Sequence, residues 1–319
     1  MFAVTAAAAT PEDPLAGLVL TDAHTLHVPD GWTTVQVKAA SLNHHDLWTL
    51  RGVGISPDRL PIVLGCDAAG IDEDGNEVVV HGVVGSSEGD ETLASDFSIL
   101  SEQYDGTFAE RVAVPRRNLV PKPASLSFSE AACLPTAWLT AYRMLFTRGR
   151  CVPGERVLIQ GAGGGVSTAL IVLSRAAGLH VTVTSRSASK LEQAAALGAH
   201  VTAGSNERLS GRVDVVLETV GEATWSHSLK SLVPGGRVVV AGATSGSAPS
   251  ADLSRVFYRQ LEVIGSTMGT KEELVRLVRF LDATGARPLV DREIAMTEAP
   301  TAFAALASGE QFGKIVLTA

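Results

Sequence analysis

The sequence predicts an α/β protein in which a β-rich region is followed by a doubly wound parallel sheet. Three observations support this fold class: the residue pattern changes near residue 122, short apolar strands alternate with helices after that point, and the first of these strands runs into a glycine-rich turn. A chain of 319 residues is long enough to bury two cores, so we expect two domains.

The region before residue 122 consists of short segments with the alternating pattern of half-buried strands. Val35 and Val37 alternate with polar residues, and the segments at 76–84 and 108–115 are similar. Gly, Pro and Asp separate these segments, as is typical of turns. We therefore expect mainly β-structure with few helices here.

After residue 122, near-continuous apolar strands alternate with helices, which is typical of a parallel sheet buried on both faces. Ser127 or Ser129 is expected to cap a first helix through 131–145. From about Glu272, one helix and a final strand at 314–319 are expected to return to the β-rich domain. The predicted domains are 1–122 with 272–319, and 123–271. The later strands are predicted at 156–160, 180–185, 213–218, 236–242 and 261–266, and the helices between them at 166–177, 190–197 and 225–232.

The composition excludes several kinds of partner. Lys and Arg total 26 against 34 Asp and Glu, a net charge of −8, which argues against nucleic acid or an anionic membrane as a partner. We see no leader pattern and no apolar run long enough to span a bilayer, so we expect a cytoplasmic protein. Cys66, Cys133 and Cys151 form no CxxC pair, which argues against a disulfide framework and a four-cysteine zinc site.

A glycine-rich turn lies directly between the strand at 156–160 and the helix that follows. Glycines allow a pyrophosphate to approach the backbone closely, and the helix N-terminus offers unpaired N–H groups to it. The alternative is a flexible loop or an ordinary helix entry. The pattern predicts a dinucleotide site that includes Gly163, Gly164, Gly165 and Val166.

The end of the next strand indicates which dinucleotide binds. NAD-binding proteins usually have an acidic residue there for the ribose 2′-hydroxyl, whereas this strand ends in Thr184-Ser185-Arg186. Ser185 and Arg186 can bind a 2′-phosphate, and Lys190 can add positive charge. Alternatively, Arg186 and Lys190 are solvated surface charges. The sequence favours NADP(H).

Eight segments, spread over most of the chain, are distinctive when taken together. The segments are VKAASLNHHDLW (37–48), LPIVLGCDAAG (60–70), YDGTFAERVAVP (104–115), LPTAWLTAY (134–142), QGAGGGV (160–166), GATSG (242–246), IGSTMGT (264–270) and FGKIVL (312–317). Together they resemble the medium-chain dehydrogenase/reductase superfamily, and within it the zinc-free quinone oxidoreductase-like branch. The resemblance implies a GroES-like catalytic domain, a Rossmann domain for NADP(H), and a homodimer formed through the edge strands of the Rossmann sheets.

The resemblance also implies further cofactor contacts. Thr136 and Thr140 are expected to contact the nicotinamide ribose. Lys314 is expected to reach the cofactor from the returning strand, or else to be a solvated charge. The segments expected to line the nicotinamide contain Thr219, Val220, Gly242, Ala243, Thr244, Ser266, Thr267 and Met268.

Relatives with a catalytic zinc ion hold it at three positions, which in this sequence are Asn43, Cys66 and Thr136. Asn and Thr are poor zinc ligands, so we expect no metal. A shifted site formed by His44, His45, Cys66 and Asp67 is the alternative. Against it, the two adjacent histidines should point opposite ways on a strand-like or turn segment, and Cys66 can be a buried thiol. Asp46 is expected to bond the local backbone.

The reaction implied is hydride transfer to a small molecule, a quinone or an α,β-unsaturated carbonyl compound. Asn43 is the candidate catalytic residue, as a donor to the substrate oxygen or the cofactor ribose, unless it only caps a turn. Trp48, Cys66 and Trp138 are candidates for the substrate pocket, with core packing as the alternative for the tryptophans. We assign no proton donor. The alternative functions are a zinc-type alcohol dehydrogenase with a relocated metal, and an NADPH-binding protein without turnover.

Overall fold

The structure is a computed structural model that describes residues 1–86 and 89–319. It divides into two compact units, 1–139 with 269–319, and 140–268. Across the described residues, no helix has both the length and the apolar character needed to cross a bilayer.

The first unit is built mainly from strands, as its alternating pattern predicts. They form a three-stranded sheet in the order β2-β1-β4, a β7–β8 pair, and a seven-stranded sheet in the order β10-β6-β5-β3-β18-β17 with β9 also on β3. Numbered along the whole chain, these strands are β1 (Ala3–Ala6), β2 (Leu18–Thr21), β3 (Trp32–Ser41), β4 (Ile62–Val63), β5 (Ala68–Asp72), β6 (Glu77–Val80), β7 (Val83–Val84), β8 (Ser98–Ile99), β9 (Arg111–Pro115), β10 (Leu119–Pro121), β17 (Val290–Ala295) and β18 (Lys314–Thr318).

Strand β3 organises the large sheet because it pairs with β5, β9 and β18. Val35 and Val37 are buried on it, as their alternation predicts. The pairing of Val316 in β18 with Ser41 in β3 confirms that the C-terminal strand returns to the β-rich domain.

The first unit also contains helices α1 (His44–Leu50), α2 (Phe128–Ala132), α8 (Lys271–Thr284) and α9 (Ala299–Ser308). It extends past residue 122 because α2 packs against β3 and β5. The C-terminal region holds β17 and α9 in addition to the expected helix and strand. The pattern did not reveal β17 because Asp291, Arg292 and Glu293 occupy its centre and none of its residues is fully buried.

The helical stretch after residue 127 begins as expected but is interrupted. Ser127 caps it: its hydroxyl accepts the Glu130 N–H at 3.2 Å, and the Glu130 carboxylate accepts the Ser127 N–H at 2.8 Å. After α2 come two π-helical segments, Leu134–Trp138 and Arg143–Arg148, with α3 (Leu139–Tyr142) between them. The uninterrupted helix that we expected is therefore wrong, because proline within it lacks the N–H that a regular α-helix needs.

The second unit is a six-stranded parallel sheet in the order β13-β12-β11-β14-β15-β16, with helices between its strands. This confirms the doubly wound prediction. Helix α5 ends at Gly198, whose φ of 119° is left-handed, as expected of a helix C-cap. The elements are β11 (Arg156–Gln160), α4 (Gly165–Ala176), β12 (His180–Ser185), α5 (Ala188–Leu197), β13 (Val201–Gly204), β14 (Val213–Glu218), α6 (Glu222–Ser231), β15 (Leu232–Val240), α7 (Leu253–Arg259) and β16 (Glu262–Gly265).

Strand β13 was not predicted because it is short, lies at the sheet edge and has no fully buried residue. The strand order reverses at β11, between β12 and β14. In open parallel sheets, ligands bind at the carboxyl ends of the strands at this switch point. The glycine turn follows β11 and therefore lies at that position.

Candidate functional site

The glycine turn has the geometry of an anion-binding loop. Gly161 and Gly163 have φ values of 82° and 95°, which side chains rarely tolerate. Helix α4 then begins at Gly165, and its N-cap, Gly164, provides no side-chain cap. The N–H groups of the first helical turn are thus available to an oxyanion, in line with the predicted site at 163–166.

The end of β12 presents a positive charge beside this turn. Ser185 is buried, and its hydroxyl oxygen accepts the Ser187 N–H at 3.2 Å. Arg186 is exposed and forms no ion pair with any residue that the structure describes. Lys190 is half-buried near the start of α5, where its N–H is capped by Ser187. Arg186 is therefore free to bind an anionic ligand.

Two turns at the ends of β14 and β15 contain five of the predicted nicotinamide contacts. We call residues 219–221 the first turn and residues 242–246 the second turn. The Ser245 N–H and hydroxyl both donate to the Val220 carbonyl, at 2.8 and 2.7 Å. The two turns thus form one hydrogen-bonded unit.

Close packing between the turns requires glycine at Gly221. A Cβ there would lie 2.5 Å from the Gly246 carbonyl oxygen and 2.8 Å from the Ala243 Cα, and φ is 92°. The Glu222 N–H also donates to the Gly246 carbonyl at 3.0 Å. The backbone is thereby brought together without intervening side chains.

The remaining predicted contacts of the second unit lie on separate elements. Ser266 and Thr267 follow β16, and the Ser266 N–H donates to the Val240 carbonyl at 2.8 Å. Met268 is buried with a left-handed φ of 46°, and Thr140 is buried on α3. Their contacts with a cofactor stay predictions.

In the first unit, a buried polar cluster surrounds Asp67. The Lys314 ammonium donates to the Leu42 carbonyl and to Asn43 Oδ1, both at 2.6 Å, and lies 3.4 Å from Asp67 Oδ2. The same carboxylate oxygen accepts the Ser41 hydroxyl at 2.7 Å. Lys314 is only 3% exposed, so the alternative of a solvated charge is wrong: burial against an aspartate holds it inside the protein.

The side chain of Asn43 belongs to this Asp67 cluster, and its backbone begins α1. Its Nδ2 donates to Asp67 Oδ2 at 2.9 Å, while its Oδ1 accepts from Lys314. The Asp46 carboxylate accepts the Asn43 N–H at 2.7 Å, which is the local backbone bond expected of Asp46. Asn43 thus acts as a helix-capping and buried structural residue, and its contact with a substrate or ribose stays a prediction.

The two histidines lie on the first turn of α1, so the expected strand-like or turn segment is wrong: the Asn43–Asp46 capping box starts a helix there. His44 is exposed. The His45 Nε2 lies 3.1 Å from Glu102 Oε1, and its Nδ1 lies 4.0 Å from Asp46 Oδ1. Burial opposes the charge, but neighbouring Asp46, Cys66 and Glu102 raise the pKa of His45 well above its ordinary value.

Two sets of residues can be tested as a zinc site. In the first, Cys66 Sγ lies 3.4 Å from Thr136 Oγ1 and 3.7 Å from Asn43 Nδ2. This set offers one thiol, one amide and one hydroxyl. The Lys314 ammonium already donates a hydrogen bond to the amide oxygen of Asn43. Burial raises the pKa of the Cys66 thiol. These residues do not fit a tetrahedral zinc ion.

The second set consists of His45, Asp46 and Cys66, whose ligand atoms lie within 4.8 Å of one another. It replaces the shifted site considered from the sequence, since His44 is exposed and Asp67 is paired with Lys314. Coordination here would require a neutral imidazole, whereas these neighbours raise the pKa of His45.

The three candidates for the substrate pocket differ in exposure. Trp48 is half-buried on α1. Cys66 and Trp138 have no exposed surface, and Trp138 is among the largest fully buried side chains. Burial therefore favours the packing alternative for Trp138 and a buried thiol for Cys66, and the contact of Trp48 with a substrate stays a prediction.

Two residues near the glycine turn were not singled out from the sequence. Gln160 ends β11 and Glu218 ends β14, and both are fully buried. A polar residue that ends an apolar strand is the signal that could have revealed them. Their hydrogen bonds connect several of the predicted cofactor segments.

The chain matches known proteins over most of its length. Residues 29–124 match the alcohol dehydrogenase GroES-like domain, and residues 165–283 match the zinc-binding dehydrogenase family. A zinc-type alcohol dehydrogenase-like protein of Schizosaccharomyces pombe is 32% identical over 314 residues, covering 90% of each chain. The chain belongs to the medium-chain dehydrogenase/reductase superfamily. This confirms the resemblance to the superfamily, together with the GroES-like and Rossmann folds, and makes the protein an oxidoreductase.

Within this superfamily the chain is similar to proteins that are named for different activities. A crystal structure described as an NAD-dependent alcohol dehydrogenase is 34% identical, with a TM-score of 0.92 and complete coverage of both chains. The acryloyl-coenzyme A reductase of Metallosphaera sedula is 27% identical, covering 90% of this chain and 92% of that protein. Membership of the superfamily therefore does not by itself determine the cofactor or the substrate of this chain.

Proposed function

We propose that the protein is a zinc-independent, NADP(H)-dependent oxidoreductase that transfers hydride to a quinone or an α,β-unsaturated carbonyl compound. The observation that carries this proposal is the contact between the Lys314 ammonium and Asn43, at the first of the three positions that hold zinc in relatives. A buried cation disfavours a second cation beside it.

The donor chemistry supports independence from zinc. Burial raises the pKa of the Cys66 thiol, and its neighbours Asn43 and Thr136 contribute only neutral amide and hydroxyl groups. A zinc ligand set needs deprotonated thiols, neutral imidazoles or carboxylates.

The end of β12 supports NADP(H) as the cofactor. No acidic residue stands there for a ribose 2′-hydroxyl, whereas Ser185 can donate a hydrogen bond to a 2′-phosphate and Arg186 can pair with it. Gly163, Gly164 and Gly165 would hold the pyrophosphate at the N-terminus of α4.

Quinones and enones suit a site without a metal. The bound cofactor supplies hydride, and the protein must orient the substrate, exclude water and polarise its oxygen. A hydrogen-bond donor is sufficient to polarise the oxygen of these substrates. In addition to Asn43, the half-buried Thr136 hydroxyl is a candidate donor. The name of the Metallosphaera relative, an acryloyl-coenzyme A reductase, indicates an α,β-unsaturated thioester and supports this substrate class.

Purified protein should oxidise NADPH when mixed with members of a panel of quinones and enones. The rate should not fall after dialysis against a chelator, because no step depends on zinc. Loss of nicotinamide absorbance and metal analysis of the same sample provide the measurements. One tightly bound zinc per chain, with activity that disappears on its removal, would support a relocated zinc site at His45, Asp46 and Cys66. NADPH binding without oxidation by any acceptor would support a binding protein without turnover.

We also propose a homodimer formed through β16, which lies at the end of the sheet. Phe257 and Tyr258 on nearby α7 are 72% and 81% exposed in the single chain. Large exposed aromatic side chains are typical of a surface that a partner subunit covers. We expect a Phe257→Asp variant to shift the protein toward monomer, because a charge would be buried at the interface. Sedimentation velocity measures the shift, and Leu93→Asp, at an exposed position of the first unit, should leave the dimer intact. A monomeric wild-type protein would refute the proposal.

A further inference from the structure

Glu218 is a fully buried carboxylate, and it forms no ion pair with any residue that the structure describes. Neutral donors stabilise it instead. Its Oε1 accepts the N–H groups of Val220 and Gly221 at 2.8 and 3.0 Å. The Thr224 hydroxyl lies 2.9 and 3.0 Å from the two carboxylate oxygens, and the Ser228 hydroxyl donates to Oε2 at 2.6 Å. With so many donors converging on it, this carboxylate has a single well-defined position.

That position determines where the first turn lies. Two consecutive N–H groups of the turn, those of Val220 and Gly221, donate to Glu218 and fix the backbone there. The Val220 carbonyl then accepts both the N–H and the hydroxyl of Ser245 in the second turn. The Glu218 carboxylate therefore anchors the first turn directly, and it anchors the second turn indirectly, through the first turn.

The opposite side of the carboxylate leads to the other cofactor segments. The Ser228 hydroxyl accepts Gln160 Nε2 at 2.9 Å, and Gln160 Oε1 accepts the Thr184 hydroxyl at 2.6 Å. Gln160 immediately precedes Gly161 of the glycine turn, and Thr184 immediately precedes Ser185. One buried network thus joins the ends of β11, β12 and β14.

We propose that Glu218 is a positioning residue for the nicotinamide half of the cofactor. It acts through the two turns, and it needs no contact with the cofactor. The inference rests on the proposed NADP(H) site. It goes further by assigning separate roles to the two ends of the network: Glu218 sets the nicotinamide turns, while Ser185 and Arg186 bind the phosphate end.

The variant Glu218→Gln tests this assignment. The amide keeps the shape of the side chain, but its NH₂ group cannot accept the Ser228 hydroxyl, so the converging donors lose their common acceptor. The probes are NADPH and 2′,5′-ADP, which carries the 2′-phosphate but no nicotinamide. We expect the Kd of NADPH to rise about tenfold, and the Kd of 2′,5′-ADP to stay within about twofold of wild type.

A matched pair at Thr224 provides the control for folding. Thr224→Val removes the hydroxyl that contacts both carboxylate oxygens and should weaken NADPH binding selectively. Thr224→Ser retains the hydroxyl and should bind NADPH like wild type. Glu272→Gln makes the same chemical change on an exposed part of α8, so it should change neither Kd.

The results separate this inference from the proposed function. Wild-type protein that binds neither NADPH nor 2′,5′-ADP would overturn the NADP(H) site and this inference with it. Wild-type binding of both, together with Glu218→Gln and Thr224→Val variants that bind both normally, would overturn the positioning role alone. Equal weakening of both ligands in these variants would also overturn it, because general damage to the sheet would then explain the loss.

Discussion

A Lys314→Met variant should lose about 3–5 kcal/mol of unfolding free energy. Methionine fills most of the space of the lysine stem but leaves the Asp67 carboxylate, which has no exposed surface, without its cation. The Ser41 and Asn43 donors remain, yet they cannot compensate a buried charge. Urea unfolding followed by fluorescence measures the loss.

The double variant Lys314→Met/Asp67→Asn tests whether the loss of stability comes from the unpaired Asp67 carboxylate. It removes both charges, so it should regain much of the stability lost in the single variant. Lys230→Met, at an exposed position on α6, should have little effect. A single variant as stable as wild type would show that the Lys314–Asp67 pair makes no net contribution.

Replacing Arg186 with glutamate should raise the Kd of NADPH about 100-fold and leave that of NADH much less affected. The substitution removes charge-assisted hydrogen bonds to the 2′-phosphate, each worth roughly 1.5–3 kcal/mol, and adds repulsion. Glutamate can also accept from a ribose 2′-hydroxyl, as the acidic residue of NAD-binding proteins does. Fluorescence titration with both cofactors measures the change in preference.

The control for this experiment is Arg279→Glu, an equal change of charge at an exposed position on α8. It should leave both dissociation constants unchanged, since α8 belongs to the first unit. If Arg186→Glu retains the wild-type preference, Arg186 is a surface charge and the NADP(H) assignment loses its main support. This outcome matters because the 34% identical structure is described as NAD-dependent.

Much of the fold was predictable because it depends on local patterns. Alternation in β3 and continuous apolar runs in β11, β12 and β14 report burial on one face or on both. Glycines at a strand–helix junction report the conformation of the turn. Where burial is weak, as in β13 and β17, the pattern disappears and the strand is missed.

The candidate site was predictable only in part. The glycine turn and the Ser185-Arg186 pair are contiguous in sequence, so their chemistry can be inferred from the order of residues. The helical conformation of His44 and His45 depends on the capping box between Asn43 and Asp46, which their adjacency did not reveal. The burial of Trp138 likewise depends on what packs around it.

The sequence by itself determined the two-part α/β fold, the position of the glycine turn and the superfamily, because each follows from segments of residues that are neighbours along the chain. The tertiary structure alone decided where Lys314 and Glu218 act. Lys314 meets Asn43 and Asp67 only because β18 returns to pair with β3, 271 residues after Asn43. Glu218 meets Ser228 and Thr224 only because α6 folds back over the end of β14. Buried charges need partners, and in a folded chain these partners are often distant in sequence.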